Sequence, residues 1–349
     1  MTVPFIDNEM ARRLLSVEAS IEFIERAYRS WDLGEATVRP KTHLFVTDDA
    51  VKYNFVTMEG ALRPEHIVAL RIRSDLHRLG SSEDRIEKEA GLGGKYCGLV
   101  LWFDSRSGAP LAIANDGYLQ HVRVAAIAAV AAREMARSES RTLGILGSSW
   151  MARTHLAALA AVRPIDSVRV YSPSKANRET FASTMSTRTC LDVTPVDSAE
   201  QAVTGADIVA ACTNSRVPVF SGSWMEKGSF LTCVLPTEVG SDVLARVSRT
   251  VRHQLPPTDR VAFGIGEAAG EWEGWKTTYS PDDPTILDVL AGRASGREDE
   301  EEITFFTNNE GNGLQFAALG AALLSRLALT DAESTRSLPL DWFLQDIAT

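Results

Sequence analysis

A turn of small residues between two apolar segments is the part of the sequence best suited to bind a ligand. It follows the strand-like run Thr142–Leu146 and leads into a segment with apolar residues at helical spacing. Small side chains let the backbone approach a pyrophosphate, and the free N–H groups of the following helix point at the anion. The pattern predicts a dinucleotide-binding turn, with an ordinary ligand-free turn as the alternative. Its candidate cofactor contacts are Gly147, Ser148, Ser149, Trp150, Met151 and Ala152.

The second apolar run, Ser167–Tyr171, ends in residues that bear on which dinucleotide binds. NAD enzymes usually carry an acidic residue at this point, which binds the ribose 2′-hydroxyl. No carboxylate occurs here before Glu179, and the segment offers hydroxyls and cations that suit a 2′-phosphate. The pattern favours NADP(H) over NAD(H), with the alternative that these residues only begin a helix. The candidates are Ser172, Ser174, Lys175 and Arg178.

A third polar segment follows the apolar run Ala206–Cys212. It consists of Thr213, Asn214 and Ser215. Open α/β sheets bind ligands at the carboxyl ends of their strands. We therefore expect this segment to contact the cofactor as well.

One arginine is predicted to bind an anion. Gln120–Arg137 is an alanine-rich helical segment, and Arg123 lies near its start among apolar residues. A buried guanidinium is costly without an anionic partner, so Arg123 is a candidate for binding a substrate carboxylate. Asp116 precedes the helix and can hold Arg123, act as an acid, or simply form a turn.

Composition and spacing exclude several classes of protein. The six histidines show no paired ligand spacing, so no metal site is predicted. The four cysteines form no C-x-x-C pair, which suits a reducing compartment. A net charge of −10 argues against a nucleic-acid partner. Without a signal-like segment or an apolar run of about 20 residues, we expect a cytoplasmic protein with no membrane partner.

The elements that must position these residues fall into two groups, as 349 residues allow. An amphipathic helix and several short strands precede the helix at 120–137, alternating strands and helices follow it, and an alanine-rich helix comes near the end. The predicted fold class is α/β. A Rossmann-type dinucleotide-binding domain spans 126–313. A discontinuous α+β domain, for substrate binding and dimerisation, spans 1–125 and 314–349. The segment 74–96 is predicted to be a flap or a solvated insertion, and the Trp272–Trp275 loop a wall of the site.

Stretches along nearly the whole chain resemble the ornithine cyclodeaminase/μ-crystallin family. They are the Arg39-Pro40 segment, the Met58-Glu59-Gly60 turn, SGAPLAIANDGYLQHVRVAA, GILGSSWMAR, ADIVAACTNS and GNGLQFAALGAAL, in the family's order. The resemblance implies a Rossmann domain beside a discontinuous, dimer-forming domain, with a nicotinamide cofactor in the cleft. It also implies a homodimer and an activity that interconverts small amino acids with their imine or keto forms.

The family's substrate-binding residues carry over unevenly. The resemblance implies that Arg39 and Arg123 bind the substrate carboxylate. A lysine that serves the substrate falls on Arg71, with Arg73 as the nearby alternative. Arginine can clamp a carboxylate with two hydrogen bonds but is a poor proton shuttle, so this difference changes the expected chemistry.

The set of residues expected of a cyclodeaminase is incomplete. The aspartate that assists ring closure falls on Thr237, or on Glu238 if the gap moves. We therefore favour an NAD(P)H-dependent reductase or dehydrogenase that acts on a small imine, ketimine or 2-oxo acid. A cyclodeaminase-type lyase with catalytic NAD and a non-catalytic NADPH-binding protein are the alternatives. The candidate catalytic residues are Arg71, Arg123, Asp116 and Glu238.

Overall fold

The computed structural model of the chain describes residues 2–48, 51–78, 88–89, 95–253, 261–265, 280, 282–308, 311–329 and 336–344. The Trp272–Trp275 loop and most of the 74–96 segment lie outside these residues. The helices are α1 (Asn8–Leu14), α2 (Val17–Asp32), α3 (Gly117–Met135), α4 (Trp150–Ala160), α5 (Lys175–Thr189), α6 (Ala199–Val203), α7 (Ser241–Leu244), α8 (Ile286–Leu290) and α9 (Gly313–Leu327).

The strands form two sheets. Those of the first sheet are β1 (Thr2–Ile6), β2 (Ala36–Val38), β3 (Thr42–Asp48), β4 (Val51–Leu62), β5 (Ile67–Arg78), β6 (Lys88–Glu89), β7 (Cys97–Asp104), β8 (Pro110–Asn115), β15 (Val261–Ile265) and β17 (Ser337–Pro339). Those of the second sheet are β9 (Thr142–Leu146), β10 (Ser167–Tyr171), β11 (Asp192–Pro195), β12 (Ile208–Ala211), β13 (Phe230–Cys233), β14 (Arg249–Arg252) and β16 (Thr304–Thr307).

The second sheet is parallel and has the doubly wound arrangement. Its order is β11-β10-β9-β12-β13-β16-β14, so the chain reverses its direction of travel across the sheet between β9 and β12. Every residue of β12 and β13 is buried, as expected for strands covered on both faces. In such sheets, ligands bind at the carboxyl edge where the order reverses. The predicted Rossmann-type fold is confirmed.

The first sheet is mixed, and one of its faces packs on helices. Along β4 and β5, buried side chains alternate with half-exposed ones. The buried face shares a core with α2, α3 and α9. A Cβ atom at Gly320 of α9 would lie 2.1 Å from Trp102 Nε1, so the small residues of this helix allow the close approach that its composition predicts.

The first sheet also recruits a strand from late in the chain. Residues 261–265 form β15, which pairs in parallel with β3. These residues fall inside the range 126–313, yet they extend the first sheet rather than the second. The two sheets are therefore interleaved along the sequence more closely than the predicted division describes, and the division itself stays a prediction.

The other face of the first sheet is apolar and half-exposed. Side chains that point away from the helices line up across adjacent strands, as in the row Leu70, Leu101 and Ile113. None of them belongs to the packed cores of the described residues. The apolar members are Leu44, Val46, Phe55, Val68, Leu70, Ile72, Leu99, Leu101, Phe103 and Ile113. We call this surface the outer face. No helix in the described part of the chain is long and apolar enough to span a membrane.

Candidate functional site

The turn after β9 has the backbone geometry that a pyrophosphate requires. Gly147 has φ +110°, and a Cβ atom there would lie 2.5 Å from the Cys212 carbonyl oxygen, so glycine is needed. Ser149 is the N-cap residue of α4 but makes no side-chain capping hydrogen bond. The first N–H groups of α4 therefore have no side-chain cap, which leaves them suited to bind phosphate oxygens. These residues fit the pyrophosphate of a dinucleotide.

The remaining predicted cofactor contacts lie in the first turn of α4, where one side chain is exposed and the other two are packed. Trp150 is 46% exposed, and the guanidinium carbons of Arg12 and Arg153 lie 4.6 and 5.0 Å from the centre of its ring. Because Arg12 belongs to α1, this contact joins the turn to the helical segment between β1 and β2 of the first sheet. Ala152 is fully buried and Met151 is partly buried against the same core. Ala152 thus packs α4 closely, the role for which a small residue is expected at this position.

The residues predicted to recognise a 2′-phosphate are divided between the interior and the surface. The Ser148 hydroxyl donates to the Ser172 hydroxyl at 3.0 Å, so Ser172 lies beside the turn. Arg178 is buried and donates to the Ser172 carbonyl oxygen at 3.2 Å. Ser174 caps α5 by accepting the Asn177 N–H, and the side chain of Lys175 is 74% exposed. The structure brings Ser148, Ser172 and Arg178 together and leaves Lys175 at the rim.

Glu238 is a buried residue that holds Thr213, one of the predicted cofactor contacts, in place. Its side chain is fully buried, and one carboxylate oxygen accepts the Thr213 N–H and hydroxyl at 2.5 and 2.7 Å. The other oxygen accepts the N–H groups of Val234 and Leu235 at 2.9 and 2.7 Å. Burial raises the pKa of Glu238 to about 7, against the lowering effect of these hydrogen bonds. Both oxygens are occupied, so Glu238 reaches the site through Thr213, while Asn214 is exposed and Ser215 half-buried.

The inner face of the first sheet carries a buried ion pair. Arg71 is 3% exposed, and its Nε and Nη2 atoms both donate to Asp116 Oδ2, at 2.9 and 2.6 Å. Its Nη1 atom lies 3.4 Å from the sulfur of Met58. Asp116 lies over the backbone of Gly98, where a Cβ atom would come within 2.1 Å of its Oδ1 atom. Asp116 therefore holds Arg71 rather than Arg123.

Arg123 is buried and is held by neutral groups. Its side chain donates to the amide oxygen of Gln120 at 3.3 and 3.1 Å, and to that of Gln315 at 3.1 Å. In the described part of the chain it makes no ion pair. Burial and the nearby charge of Arg71 lower the pKa of Arg123 to about 9. A buried cation held by neutral amides keeps its charge available for an anionic ligand.

A buried polar network lies behind Arg123. Asn312 and Gln315 form a capping box at the start of α9. The Asn312 amide donates to the Tyr28 hydroxyl at 3.1 Å, and that hydroxyl bonds to His253 Nε2. Burial lowers the pKa of His253 to about 3, so the imidazole is neutral. The roles of Tyr28, Asn312 and Gln315 could not be predicted from the sequence, because residues so far apart share no spacing signal.

The two remaining predicted arginines are placed differently. The Nε atom of Arg73 lies 2.7 Å from Asp75 Oδ2, on the same sheet face as Arg71. The side chain of Arg39 is 73% exposed, and its guanidinium lies 4.0 Å from the carboxylate of Glu59. Because Glu59 follows Met58 along β4, its side chain points to the other face of the sheet. The structure thus groups Arg71, Arg73 and Arg123 with Asp75 and Asp116, and leaves Arg39 outside. We call this group the arginine cluster.

Histidines and cysteines contribute no further candidate centre in the described ranges. No group of three side chains there is arranged to hold a metal ion. Cys212 and Cys233 are buried near Glu238, and burial raises the pKa of both thiols. His121 is half-buried near Asp116, and burial lowers its pKa to about 4. These groups are neutral near pH 7 and leave the charge of the site to the arginine cluster.

The fold and the site define a dinucleotide-binding protein in which the arginine cluster lies at the inner face of the first sheet. Residues 7–315 match the model of the ornithine cyclodeaminase/mu-crystallin family, and the chain belongs to that family. The resemblance drawn from the sequence is confirmed.

Individual relatives include reductases and dehydrogenases. An alanine dehydrogenase of Archaeoglobus fulgidus is 25% identical over 308 residues, which are 88% of this chain and 89% of the relative. A Delta(1)-pyrroline-2-carboxylate reductase of Bacillus cereus is 28% identical over 217 residues, 60% of this chain and 65% of the relative. Among solved structures, the Delta(1)-pyrroline-2-carboxylate reductase of Thermococcus litoralis in complex with NADH and L-proline is similar, with a TM-score of 0.78. It is 23% identical, with coverage of 94% of this chain and 98% of that one, and the likeness shows a shared fold.

Proposed function

We propose that the protein is an NAD(P)H-dependent oxidoreductase that interconverts a small imine, ketimine or 2-oxo acid with the corresponding amino acid. The observation that carries the proposal is Arg123, a buried guanidinium held by two amide oxygens. Among the described residues no carboxylate forms an ion pair with it, so its positive charge matches one substrate carboxylate. A bound nicotinamide would supply the hydride. The names of the relatives and the cofactor-fitting turn at Gly147 support the same chemistry.

Three buried carboxylates, two in the arginine cluster and one at the edge of the parallel sheet, favour a reductase over a cyclodeaminase. A diamino-acid substrate brings a second ammonium group, which needs a carboxylate partner. Asp116 and Asp75 are already paired with Arg71 and Arg73. The oxygens of Glu238 each accept two hydrogen bonds from the protein. None of these three carboxylates is free to receive the second ammonium group.

The arginine cluster would bind and orient the substrate rather than move protons. Arg123 anchors the carboxylate, and Arg71, fixed by Asp116, adds a second positive charge nearby. An arginine is a poor proton donor near pH 7. A protonated imine needs none in the reduction step, because addition of hydride to its carbon yields the amine directly. The absence of a lysine at position 71 therefore does not prevent this reaction.

The cofactor is proposed to be NADP(H) in preference to NAD(H). Support comes from Ser172 and Arg178, which lie next to the turn, and from Lys175 at the rim. Replacement of Ser172 by Asp should shift the preference toward NADH, because a carboxylate repels the 2′-phosphate and accepts a 2′-hydroxyl. The ratio of the dissociation constants for NADPH and NADH measures the shift, and an unchanged ratio contradicts the assignment.

The protein is proposed to be a homodimer that buries the outer face. That face aligns apolar side chains across β3, β4, β5, β7 and β8, and contiguous apolar surfaces of this kind mark association sites. Leu101 lies centrally, between Leu70 and Ile113. Leu101→Glu should yield a monomer in sedimentation experiments, whereas Arg106→Glu in the exposed β7–β8 loop should leave the assembly unchanged. A monomeric native protein contradicts this proposal.

Turnover by the purified protein separates the candidate functions. A panel of cyclic imino acids, and of 2-oxo acids with ammonia or methylamine, should cause oxidation of NADPH. Conversion of ornithine to proline with no net change in cofactor would instead indicate a cyclodeaminase. Tight NADPH binding with no turnover across the panel would indicate a non-catalytic binding protein.

A further inference from the structure

A carboxylate from a neighbouring strand lies at the edge where the ribose 2′ position is expected. Asp197 follows β11, which pairs in parallel with β10, so the carboxyl ends of these strands lie side by side. The Asp197 side chain is 86% exposed, and its Oδ1 atom lies 2.5 Å from Nη2 of Arg178. The absence of an acidic residue directly after β10 is thus offset in space by one that follows β11.

A continuous set of hydrogen bonds connects this carboxylate to the phosphate-binding turn. Ser148 donates to Ser172 at 3.0 Å, and Arg178 donates to the Ser172 carbonyl oxygen at 3.2 Å. The other end of the Arg178 guanidinium donates to Asp197. The side chain of Arg178 is 9% exposed, so its position is well constrained, while the carboxylate at its end faces solvent.

We propose that Asp197 is a specificity-determining residue for the dinucleotide, an inference that rests on the proposed function. A 2′-phosphate carries close to two negative charges near pH 7 and is attracted to the Arg178 guanidinium. Asp197 occupies one nitrogen of that guanidinium and repels the phosphate. A 2′-hydroxyl instead donates a hydrogen bond to the carboxylate. Asp197 therefore weakens NADP(H) relative to NAD(H), and limits the preference that Ser172, Lys175 and Arg178 create.

The ion pair is not needed to hold the loop. The backbone N–H of Asp197 donates to the side chain of Gln201 at 2.9 Å, and Ser198 caps α6 by accepting the backbone N–H of Gln201. These contacts persist when the Asp197 carboxylate is removed. An ion pair with one partner so exposed adds little to stability, so substitution of Asp197 leaves a folded protein in which cofactor binding can be measured.

The test is direct titration of the intact chain with NADPH and with NADH, without substrate. In Asp197→Asn, the ratio of the NADH to the NADPH dissociation constant should rise at least tenfold over the native protein. Asp197→Ser should act in the same direction. Asp192→Asn is the matched control, because Asp192 is exposed at the amino end of the same strand, and its ratio should stay within about twofold of the native value.

An unchanged ratio in Asp197→Asn and Asp197→Ser, with both cofactors still bound, overturns the inference and leaves the proposed function standing. An equal rise in Asp192→Asn also overturns it, because the effect would then be one of overall charge. Failure of the native protein to bind either dinucleotide overturns the proposed function, and the inference with it.

Discussion

The turn at Gly147 and the arginine cluster both suit anions, but by opposite means. The turn uses backbone: a positive φ angle, small side chains and the uncapped start of α4. The arginine cluster uses side chains, two of them buried arginines and one a half-buried arginine, each held by a defined partner. A backbone site tolerates variation in side chains but not in shape. A side-chain site depends on the charge of every neighbour. The two regions should therefore fail differently when mutated.

The largest effect should come from a change of shape at the turn. Gly147→Val places a Cβ atom against the Cys212 carbonyl oxygen at a φ angle that valine avoids. We expect NADPH affinity to fall at least 100-fold in a binding titration, with a lower unfolding temperature. Gly292→Ala is the control, because Gly292 has φ +72° and a Cβ atom added there would meet no other atom within 4 Å. Equal losses of NADPH affinity in both variants would mean that backbone strain at a positive φ angle, rather than the clash with the Cys212 carbonyl oxygen, weakens binding.

The next effect should come from loss of charge in the arginine cluster. Arg123→Met keeps much of the length of the side chain but removes its cation, so kcat/KM for the amino or imino acid should fall about 100-fold, in the range for a truncated buried charge. The dissociation constant for NADPH should stay within a few-fold of the native value. A comparable loss of NADPH affinity would contradict the separation of the two regions.

A subtler change tests whether the neutrality of the amide partners matters. Gln315→Glu preserves shape but places a carboxylate 3.1 Å from the Arg123 guanidinium, where the Gln315 amide oxygen now accepts a hydrogen bond. The new ion pair should compensate the charge of Arg123 and raise KM about tenfold, while the unfolding temperature is kept or raised. Gln120→Glu should act in the same way from the other side of Arg123. An unchanged KM in both variants would show that charge compensation does not control substrate binding.

Each region also contains a buried, neutral histidine, and these histidines make the free energy of unfolding depend on pH. Burial lowers the pKa of His155, in α4, to about 4, and that of His253, behind Arg123, to about 3. Unfolding lets each bind a proton at its ordinary pKa near 6.5, so stability is present above that pH and is lost as the pH falls toward 4. Each histidine should make the free energy of unfolding rise by up to about 1.4 kcal/mol per pH unit near pH 5. Glu238, whose pKa is raised to about 7, acts in the opposite direction between about pH 4.5 and 7.

Chemical denaturation between pH 4 and 7 measures that slope. His155→Gln and His253→Gln should each make the free energy of unfolding less steep in this range. A slope unchanged in either variant would mean that the histidine is protonated, or hydrated, in the folded protein.

The smallest effect is expected at the position where the turn departs from the usual pattern. Ser149 is exposed, and its hydroxyl makes no capping hydrogen bond. Ser149→Gly should therefore leave NADPH affinity unchanged or improve it slightly, by about twofold at most. A large loss would identify the hydroxyl itself as a ligand of the cofactor.

The contrast between the turn and the arginine cluster also explains which features could be predicted from the sequence. The turn and its flanking strands are local in the chain, so residues 142–171 were sufficient to predict the βαβ unit. The position of Arg123 in an apolar helix was likewise enough to mark it as a buried cation. Both inferences depend on neighbours within a few turns of the same element, and the structure contains these elements as predicted.

The partners of these residues could not be predicted, because they come from distant segments. Asp116 holds Arg71 across 45 residues, and Gln315 holds Arg123 across 192. Arg39 has the residue type expected of a carboxylate ligand, yet its guanidinium lies by Glu59. The strand at 261–265 was missed in the first sheet, because pairing with β3 leaves no trace in local hydrophobic periodicity.

The position of α9 near the end of the sequence has a consequence for biosynthesis. This helix, at 313–327, packs against β4 and β5, which precede it by about 250 residues of chain. Until it leaves the ribosome, the inner face of the first sheet lacks part of its cover, whereas all seven strands of the parallel sheet precede α9 in the chain. The nascent chain thus carries an unfinished amino-terminal half through most of its synthesis. The order in which the segments are made therefore leaves apolar surface of that half uncovered until α9 is available, and a chain terminated before α9 never covers it.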